Sequence, residues 1–400
     1  MKKIFSLSFG TAVYQVIAFF SYPIFALNYD IEVFAQFGQY SALLSVISVW
    51  SVGRFNQAIL VDKSESDIIY SLIIGLILLI LAAFTVTLYL TSFFTFSNLY
   101  FIPVSILAFG LFELASSTCI VKEKYRYVSV IFLTYGCLTL LLQYGFIGVF
   151  PYGLVIGKII GDLILGIISV VMIVKYFISY KYYIKIDKNR LLRHFSLRKD
   201  YLVYGCPQGF LSSFARNLPM IVLPGYSTEV AGYFSLFYKL IAVPVDFLSK
   251  PIRQIVLNKK VSQRLLIKYY STSFYIYPLM FVALFVMFYF DTISRIWLTS
   301  LIKDFDWVDY INIAFSLSIV LVQVLLSTPI KTLMINAGLQ RKFLGIEFIT
   351  CCVKVMFIYC ALHFFDTYDG ITIYILFVAL IDNATIFFIK NNLAKKVFNE

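Results

Sequence analysis

Three cations lie deep within long apolar stretches and have no acidic residue three or four positions away in the chain. They are Arg216, Lys239 and Lys354. A charge at the centre of a membrane costs roughly 2.5–3.5 kcal/mol even on the more lenient insertion scale. These cations are therefore expected to face one another, an acid or a water-filled cavity. A wet cavity lined by cations binds anions, and we predict such a site here. The alternative is that Lys239 or Lys354 pairs with Asp382 across helices.

Other charges inside the apolar stretches have local explanations. Two lysine–aspartate pairs are spaced four residues apart, so that each can neutralise itself along one helical face: Lys158–Asp162 and Asp246–Lys250. Arg54 and Lys331 lie close to helix ends, where a long side chain can reach the lipid headgroups.

Residue types that catalyse reactions or hold metals are scarce. The chain has two histidines, His194 in the predicted linker and His363 near a predicted helix end, so a histidine-based catalytic or metal centre is not expected. Its six cysteines all fall in apolar segments without metal-ligand spacing, as buried small hydrophobic residues do. No glycine-rich phosphate loop is present, which argues against ATP hydrolysis by this chain. We predict no catalytic residues, no metal and no cofactor.

Composition indicates that these residues are positioned by membrane-spanning helices. Of 400 residues, 61% are hydrophobic and 14% are charged, whereas globular domains carry about 25% charge. A span needs roughly 20 apolar residues. On that basis we predict an all-α membrane protein with twelve spans, near 4–27, 34–58, 68–92, 100–121, 127–149, 153–174, 204–224, 229–250, 270–290, 311–333, 343–364 and 371–390. The span at 229–250 is the weakest, and no cleavable signal peptide is visible at the N-terminus.

Lysine and arginine are distributed unevenly between the predicted loops. The termini and even-numbered loops carry 23 of them, and the odd-numbered loops carry two, Arg295 and Lys303. The positive-inside rule then places both termini in the cytoplasm. The net charge of +12 is thus a topology signal and does not indicate nucleic-acid binding. The basic stretch 175–203 separates two predicted six-helix lobes, 1–174 and 204–400.

The two lobes show an internal repeat. A shift of 197 residues aligns Tyr29–Leu60 with Tyr226–Leu257 and gives 8 identities in 32 positions. The identities are Tyr29/Tyr226, Glu32/Glu229, Val33/Val230, Phe37/Phe234, Leu43/Leu240, Val46/Val243, Gln57/Gln254 and Leu60/Leu257. Pro23 and Pro219 also lie within one residue of this register. Six helices bring the chain back to the same side, so the repeat is parallel and its axis follows the membrane normal.

Several segments have a pattern that is shared with a known family: Phe9–Gln15, Tyr22–Ile24, Tyr29–Gly38, Val52–Leu60 with the polar turn Lys63–Glu65, and Val230–Leu236. In these segments the chain resembles bacterial polysaccharide repeat-unit flippases, the Wzx-like O-antigen and capsule translocases of the multidrug/oligosaccharidyl-lipid/polysaccharide (MOP) superfamily. The resemblance covers the whole chain in length and topology and is sharp only in roughly 29–60 and 204–257.

The resemblance implies a two-lobed, MATE-like architecture in the bacterial inner membrane. It implies an undecaprenyl-diphosphate-linked oligosaccharide as substrate, moved from the cytoplasmic to the periplasmic leaflet through a cationic cavity. Arg54, in the Gly-Arg element, matches the family pattern and joins the expected site. Transport in relatives is ion-coupled, and Asp382, Glu113 and Asp162 are candidate coupling sites for H⁺ or Na⁺. A polysaccharide polymerase and a chain-length regulator are the implied protein partners.

Two other functions are compatible with the sequence. A multidrug or cation antiporter of the same fold would need a cavity dominated by acids. A membrane-embedded polysaccharide polymerase would need a large outer loop with catalytic arginines, whereas the longest predicted outer loop, about 291–310, carries only Arg295 and Lys303. An acyltransferase would need a partnered membrane histidine.

The basic-residue asymmetry makes the topology testable. Cysteine labelling in intact cells should place positions 188, 260 and 396 in the cytoplasm and positions 30, 229 and 369 outside. A linker at 175–203 that is labelled from outside would overturn both the orientation and the two-lobe interpretation.

Overall fold

The computed structural model describes residues 2–62, 64–93, 98–180, 187–258, 307–336 and 339–399, and these ranges contain helices and turns but no strand. The first seven helices are α1 Lys2–Asn28, α2 Ile31–Ser51, α3 Phe55–Val61, α4 Glu65–Phe93, α5 Ile102–Val121, α6 Tyr125–Gly145 and α7 Gly153–Tyr180. The others are α8 Lys188–Asp200, α9 Cys206–Val222, α10 Thr228–Asn258, α11 Trp307–Asn336, α12 Gln340–Phe364 and α13 Thr367–Asn399.

Ten of the twelve predicted spans each correspond to one helix, the prediction at 34–58 covers α2 and part of α3, and the prediction at 270–290 lies outside the described residues. Among the described helices, seven are long and apolar enough to cross a membrane: Ile31–Ser51, Glu65–Tyr89, Ile102–Val121, Tyr125–Gly145, Gly153–Ser179, Arg341–Phe364 and Thr367–Ile389. The weakest predicted span, 229–250, lies within the continuous helix α10, which runs through Pro244. An all-helical membrane protein is therefore confirmed.

Two large hydrophobic clusters hold the bundle together. One is formed by α1 to α7 and includes the fully buried Phe34 and Leu114. The other is formed mainly by α9 to α13 and includes Ile358 and Ile371, which are equally inaccessible. Ala42 of α2 belongs to the second cluster although its helix belongs to the first half. Helix α2 is thus where the two halves meet.

The internal repeat has a direct counterpart in the packing of α2 against α10. Gly38 and Ser235 are separated by the repeat shift of 197 residues, and they contact each other. A Cβ atom added to Gly38 would lie 2.7 Å from the Cβ of Ser235, so glycine is required for this close approach. A residue touches its own counterpart only beside the axis that relates two repeats. The pseudo-two-fold axis therefore passes between α2 and α10 at this contact.

The second span is not the single helix predicted over 34–58. It is broken between α2 and α3, where Gly53 and Arg54 have φ angles of 57° and 60°. Glycine adopts this left-handed conformation readily, but for other residues it costs on the order of 1–3 kcal/mol. The repeat-related residues are Lys250 and Pro251, and α10 continues through them without a break. The two halves therefore differ at this point.

Much of the predicted linker at 175–203 is an ordered helix, α8. A single π-helical turn, Tyr201–Gly205, joins α8 to α9. One face of α8 packs on the first half of the molecule: Leu191 and Phe195 contact the small cluster around Phe55, and the rings of Phe195 and Phe55 stack with centroids 6.2 Å apart. The lobe boundaries at 174 and 203 stay a prediction.

A buried carboxylate fastens α8 to the ends of α3 and α4. Asp62 is 4% exposed; its carboxylate accepts hydrogen bonds from Arg198 Nη2 and Ser71 Oγ, each at 2.6 Å. The Nε2 atom of His194 lies 2.8 Å from the same Ser71 Oγ. Because Ser71 gives its only hydrogen to Asp62, His194 must donate from Nε2. Burial raises the pKa of Asp62, but the neighbouring His194, the hydrogen bond from Ser71 and the charge of Arg198 outweigh the effect of burial and leave that pKa below its ordinary value.

This cluster predicts a loss of stability when its arginine is removed. Arg198→Ala leaves the buried Asp62 carboxylate without its charged donor and should lower the free energy of unfolding by about 1–3 kcal/mol. Arg193→Ala, on the exposed side of the same helix, is the matched control and should change it by less than about 0.5 kcal/mol. Thermal unfolding of the purified protein in detergent measures both. Equal effects of the two variants would contradict the fastening role.

The same cluster predicts a pH dependence with a defined sign. Because the pKa of Asp62 is depressed in the folded state, its stabilising contribution is present above the pKa of an unfolded aspartate, about 3.9. The contribution is lost as the pH falls through the folded-state pKa. The stability difference between the wild type and Asp62→Asn should therefore be constant near neutral pH and shrink in acid. A difference that grows on acidification would contradict the assignment.

Candidate functional site

A cavity of about 410 Å³ lies between the two halves. Its walls come from α2 and α5 on one side and from α9 to α13 on the other. Seven charged side chains line it: Arg54, Glu113, Arg216, Lys331, Glu347, Lys354 and Asp382. The volume falls in the range of small-molecule sites, roughly 300–1,000 Å³.

Two lysines of the second half are paired with acids at the cavity wall. Lys354 of α12 donates to Asp382 Oδ1 of α13 at 2.7 Å, and the lysine is 6% exposed. Lys331 of α11 lies 3.4 Å from Glu347 Oε1 of α12. The first of these is the cross-helix pair that the sequence left open as an alternative. These lysines are neutralised in the structure, which differs from the expected cluster of unpaired cations.

Arg216 projects from α9 into the same cavity. Its side chain is exposed, and it interacts electrostatically with Lys331. Arg216 follows Gln208 and Ser212 at intervals of four residues, and all three line the cavity. One face of α9 is therefore polar along two turns and faces the interior between the halves.

The first half contributes one cation and one acid. Arg54 reaches the cavity from the break between α2 and α3, and it interacts electrostatically with Glu113 of α5. Glu113 also accepts a hydrogen bond from Asn56 Nδ2 at 2.6 Å. Together with the second half, the described lining holds four cations (Arg54, Arg216, Lys331, Lys354) and three acids (Glu113, Glu347, Asp382), a formal net charge of +1.

Lys239 was predicted to join this site, but it contributes no lining to the cavity that the described residues enclose. It lies instead at the interface between α10 and α2, where its Nζ is 4.8 Å from the ring centroid of Phe37. A cation above an aromatic face gains electrostatic stabilisation from the ring. The position of α10 on the pseudo-two-fold axis directs this lysine toward α2.

The three candidate coupling carboxylates occupy two different environments. Glu113 and Asp382 line the cavity. Asp162 lies within the bundle of α5, α6 and α7, where it is completely buried. Lys158 Nζ at 2.5 Å and Tyr135 OH at 2.7 Å donate to its Oδ1, and Ser105 Oγ donates to Oδ2 at 2.7 Å. The predicted Lys158–Asp162 pair is therefore formed, and three donors hold its carboxylate.

Two charged residues of the cavity were not predicted to belong to it. Lys331 was assigned to the lipid headgroups, and Glu347 was given no role. A signal for Lys331 does exist: Ser327, Thr328 and Thr332 accompany it at helical spacing, and all four line the cavity. A polar stripe of this kind on an apolar helix predicts a face turned away from lipid.

Comparison with solved structures places the chain in a known fold. A multidrug resistance MATE family transporter of the MOP superfamily, in an outward-facing conformation, superposes with a TM-score of 0.65 over 98% of this chain and 96% of that chain, at 15% identity. The MATE multidrug transporter DinF-BH, in a ligand complex, gives a TM-score of 0.64 over 96% and 95%, at 16% identity. A MATE in complex with MaD5 gives 0.62 over 100% and 97%, at 16%.

These similarities establish a MATE-like transporter fold that covers the whole chain. They confirm the predicted all-helical, MATE-like architecture. No protein-family model matches the sequence, and no curated protein matches it.

The Lys354–Asp382 pair predicts a compensating pair of substitutions. Lys354→Ala leaves a carboxylate in the bundle without its donor and should destabilise the protein by about 3 kcal/mol. Lys354→Ala with Asp382→Ala removes both charges and should recover most of that loss. Arg341→Ala, at the exposed start of the same helix, is the control. The measurement is the thermal unfolding midpoint in detergent, and strictly additive effects of the two substitutions would contradict the pairing.

Proposed function

We propose that this protein is a flippase that moves an undecaprenyl-diphosphate-linked oligosaccharide from the cytoplasmic to the periplasmic leaflet of the bacterial inner membrane. The observation that carries the proposal is the cavity between the halves, into which four cations project. Arginine and lysine are the side chains that bind phosphate groups, arginine by two parallel hydrogen bonds and lysine as a point charge. The resemblance of the chain to polysaccharide repeat-unit flippases supports the same substrate.

The charge balance of the cavity suggests how such a substrate is bound. Lys354 and Lys331 are already neutralised by Asp382 and Glu347, so an incoming diphosphate competes with those carboxylates for the lysines. Arg54 of the first half and Arg216 of the second half both line the cavity, and a diphosphate bound by the two would be contacted from both halves. Proton uptake by Asp382 or Glu113 would remove a negative charge that competes with the anion for the neighbouring cations. These two residues are therefore the proposed coupling sites, and the proposed coupling ion is H⁺ or Na⁺.

The size of the cavity limits what it encloses. At about 410 Å³ it accommodates a diphosphate and the adjoining sugar residue rather than a complete repeat unit. Transport of the whole oligosaccharide therefore requires the halves to separate, as expected for alternating access by two lobes. A polysaccharide polymerase and a chain-length regulator would act on the product at the outer surface. No catalytic residue in this chain is needed for any of these steps.

A second candidate function is multidrug or cation antiport. Three acids line the same cavity, and two of the similar structures are described as multidrug transporters. Cationic drugs would pair with acids that are not held by lysine. Glu347 and Asp382 both have lysine partners in the structure, which favours the anionic substrate. The remaining alternative, a polysaccharide polymerase or an acyltransferase, is tested by the cellular experiment described next.

The decisive cellular experiment is deletion of the gene, followed by analysis of lipid-linked glycans. A flippase deletion should accumulate complete repeat units that are protected from glycan-cleaving enzymes added to the periplasmic side. If the repeat units reach the periplasm and stay unpolymerised, the polymerase alternative is correct. If glycan display is normal and sensitivity to cationic drugs rises, the antiporter is correct.

Charge substitutions at Arg216 test the binding site itself. Arg216→Ala should weaken substrate binding by about ten- to a hundredfold, because a charge-assisted contact contributes about 1.5–3 kcal/mol. Arg216→Lys should retain part of the activity, and Arg216→Glu should retain least. Arg126→Glu, an exposed arginine at the start of α6, is the matched control. Glycan display is compared with the amount of protein in the membrane for each variant; normal export by well-expressed Arg216→Glu would overturn the anion site.

A further inference from the structure

Arg54 is presented to the opposite half by an unusual piece of backbone. It is the second of two consecutive left-handed residues, Gly53 and Arg54, and it begins helix α3. A non-glycine residue keeps this conformation only where its surroundings hold it there. The contacts of its side chain should therefore reveal what holds it.

The guanidinium group of Arg54 lies directly against the backbone of Gly209 on α9. A Cβ atom added to Gly209 would lie 2.6 Å from Arg54 Cζ and 2.9 Å from Nε, and it would overlap the terminal Nη2. These atoms form the far end of the flexible arginine side chain, so an added methyl group would displace the guanidinium from α9 and would not need to shift the backbone. The missing side chain of Gly209 thus creates a space that the arginine fills.

A neighbouring glycine provides an internal comparison. Gly205, one helical turn before Gly209, also faces Arg54, but a Cβ atom there would be 3.7 Å from Arg54 Cγ. That distance is ordinary van der Waals contact, so a side chain is tolerated. The steric requirement is specific to Gly209, although both glycines contact the same arginine.

Among its described residues, the second half has no equivalent of the left-handed turn. At the repeat shift of 197 residues, the positions of Gly53 and Arg54 are Lys250 and Pro251, and α10 continues through both as a helix. The contact between Arg54 and Gly209 is therefore a departure from the repeat, and it lies beside the cavity that Arg54 lines.

We propose that Gly209 is a positioning residue for the site, because its missing side chain seats the Arg54 guanidinium across the interface and fixes that charge at the cavity wall. This inference rests on the proposed anion-binding function and deepens it. The left-handed turn brings the arginine to α9, and the space at Gly209 determines where its head group stops. Positive charge from the first half is thereby held against α9, the helix of the second half that also carries Arg216.

The position of the charge can be measured without any substrate. Ser212 lines the cavity one turn beyond Gly209. In a background with the six native cysteines replaced by alanine, Ser212→Cys is modified with a negatively charged and a positively charged methanethiosulfonate reagent. The ratio of the two rates reports the local electrostatic potential. When Arg54 is held against α9, its positive charge should raise the modification rate by the negative reagent relative to that by the positive reagent.

The expected results follow from the geometry. Arg54→Ala should lower the ratio of negative to positive modification rates by about tenfold, as expected for loss of one charge at this range. Gly209→Ala should lower it nearly as far, because the displaced guanidinium leaves the wall, and the double variant should show no further change. Gly205→Ala should keep the original ratio. An unchanged ratio in Gly209→Ala, beside a lowered ratio in Arg54→Ala, would overturn the proposal.

A second measurement covers the case in which Gly209→Ala does not fold well. If the added methyl group conflicts only with the arginine, Arg54→Ala in the Gly209→Ala background should restore the thermal unfolding midpoint toward that of Arg54→Ala alone. A double variant no more stable than Gly209→Ala would overturn the proposal. Neither measurement involves glycan export, so a failure of the flippase assignment in the deletion experiment is recognised separately.

Discussion

The organisation of this protein depends on one constraint, the free-energy cost of removing charged side chains from water. A chain that is 61% hydrophobic still places lysines, arginines and carboxylates between its membrane helices, and each must be paired or hydrated. Asp162 illustrates the first solution, since a lysine and two hydroxyl groups satisfy its carboxylate within one bundle. Arg216 illustrates the second, since it projects into the space between the halves.

The cavity combines both solutions, and this determines its chemical character. Lys354 and Lys331 are close enough to acids to be stable when no substrate is bound, yet they border a space that an anion can enter. A site with four wholly unpaired cations would repel itself strongly. Pairing two of them with acids lowers that repulsion. An anion can still reach the paired lysines, because it competes with the carboxylates for them. The formal charge of +1 is thus compatible both with a stable empty site and with an anionic substrate.

The repeat explains the architecture, whereas departures from the repeat create the site. Gly38 and Ser235 bring repeat-related positions into contact at the axis, so the halves share one interface along α2 and α10. Only the first half breaks its second span, at Gly53 and Arg54. Helix α8 adds a further asymmetry, because Asp62 and Arg198 attach the connection between the halves to the first of them. The link to the second half is then the short π-helical turn before α9.

The sequence by itself determined the membrane environment, the all-helical fold, the internal repeat and the local pair Lys158–Asp162. Each of these depends on composition or on spacing along the chain, and helical periodicity makes such spacing readable. Only the tertiary structure decided which distant charges meet. Lys239 and Lys354 look alike in sequence, yet one lies over Phe37 and the other pairs with Asp382. Which group each lysine contacts depends on how its helix is rotated about its own axis in the bundle. That rotation is set by packing between helices that are far apart in the chain. The left-handed turn at Arg54 likewise meets Gly209, 155 residues later in the sequence, and no local pattern records that contact.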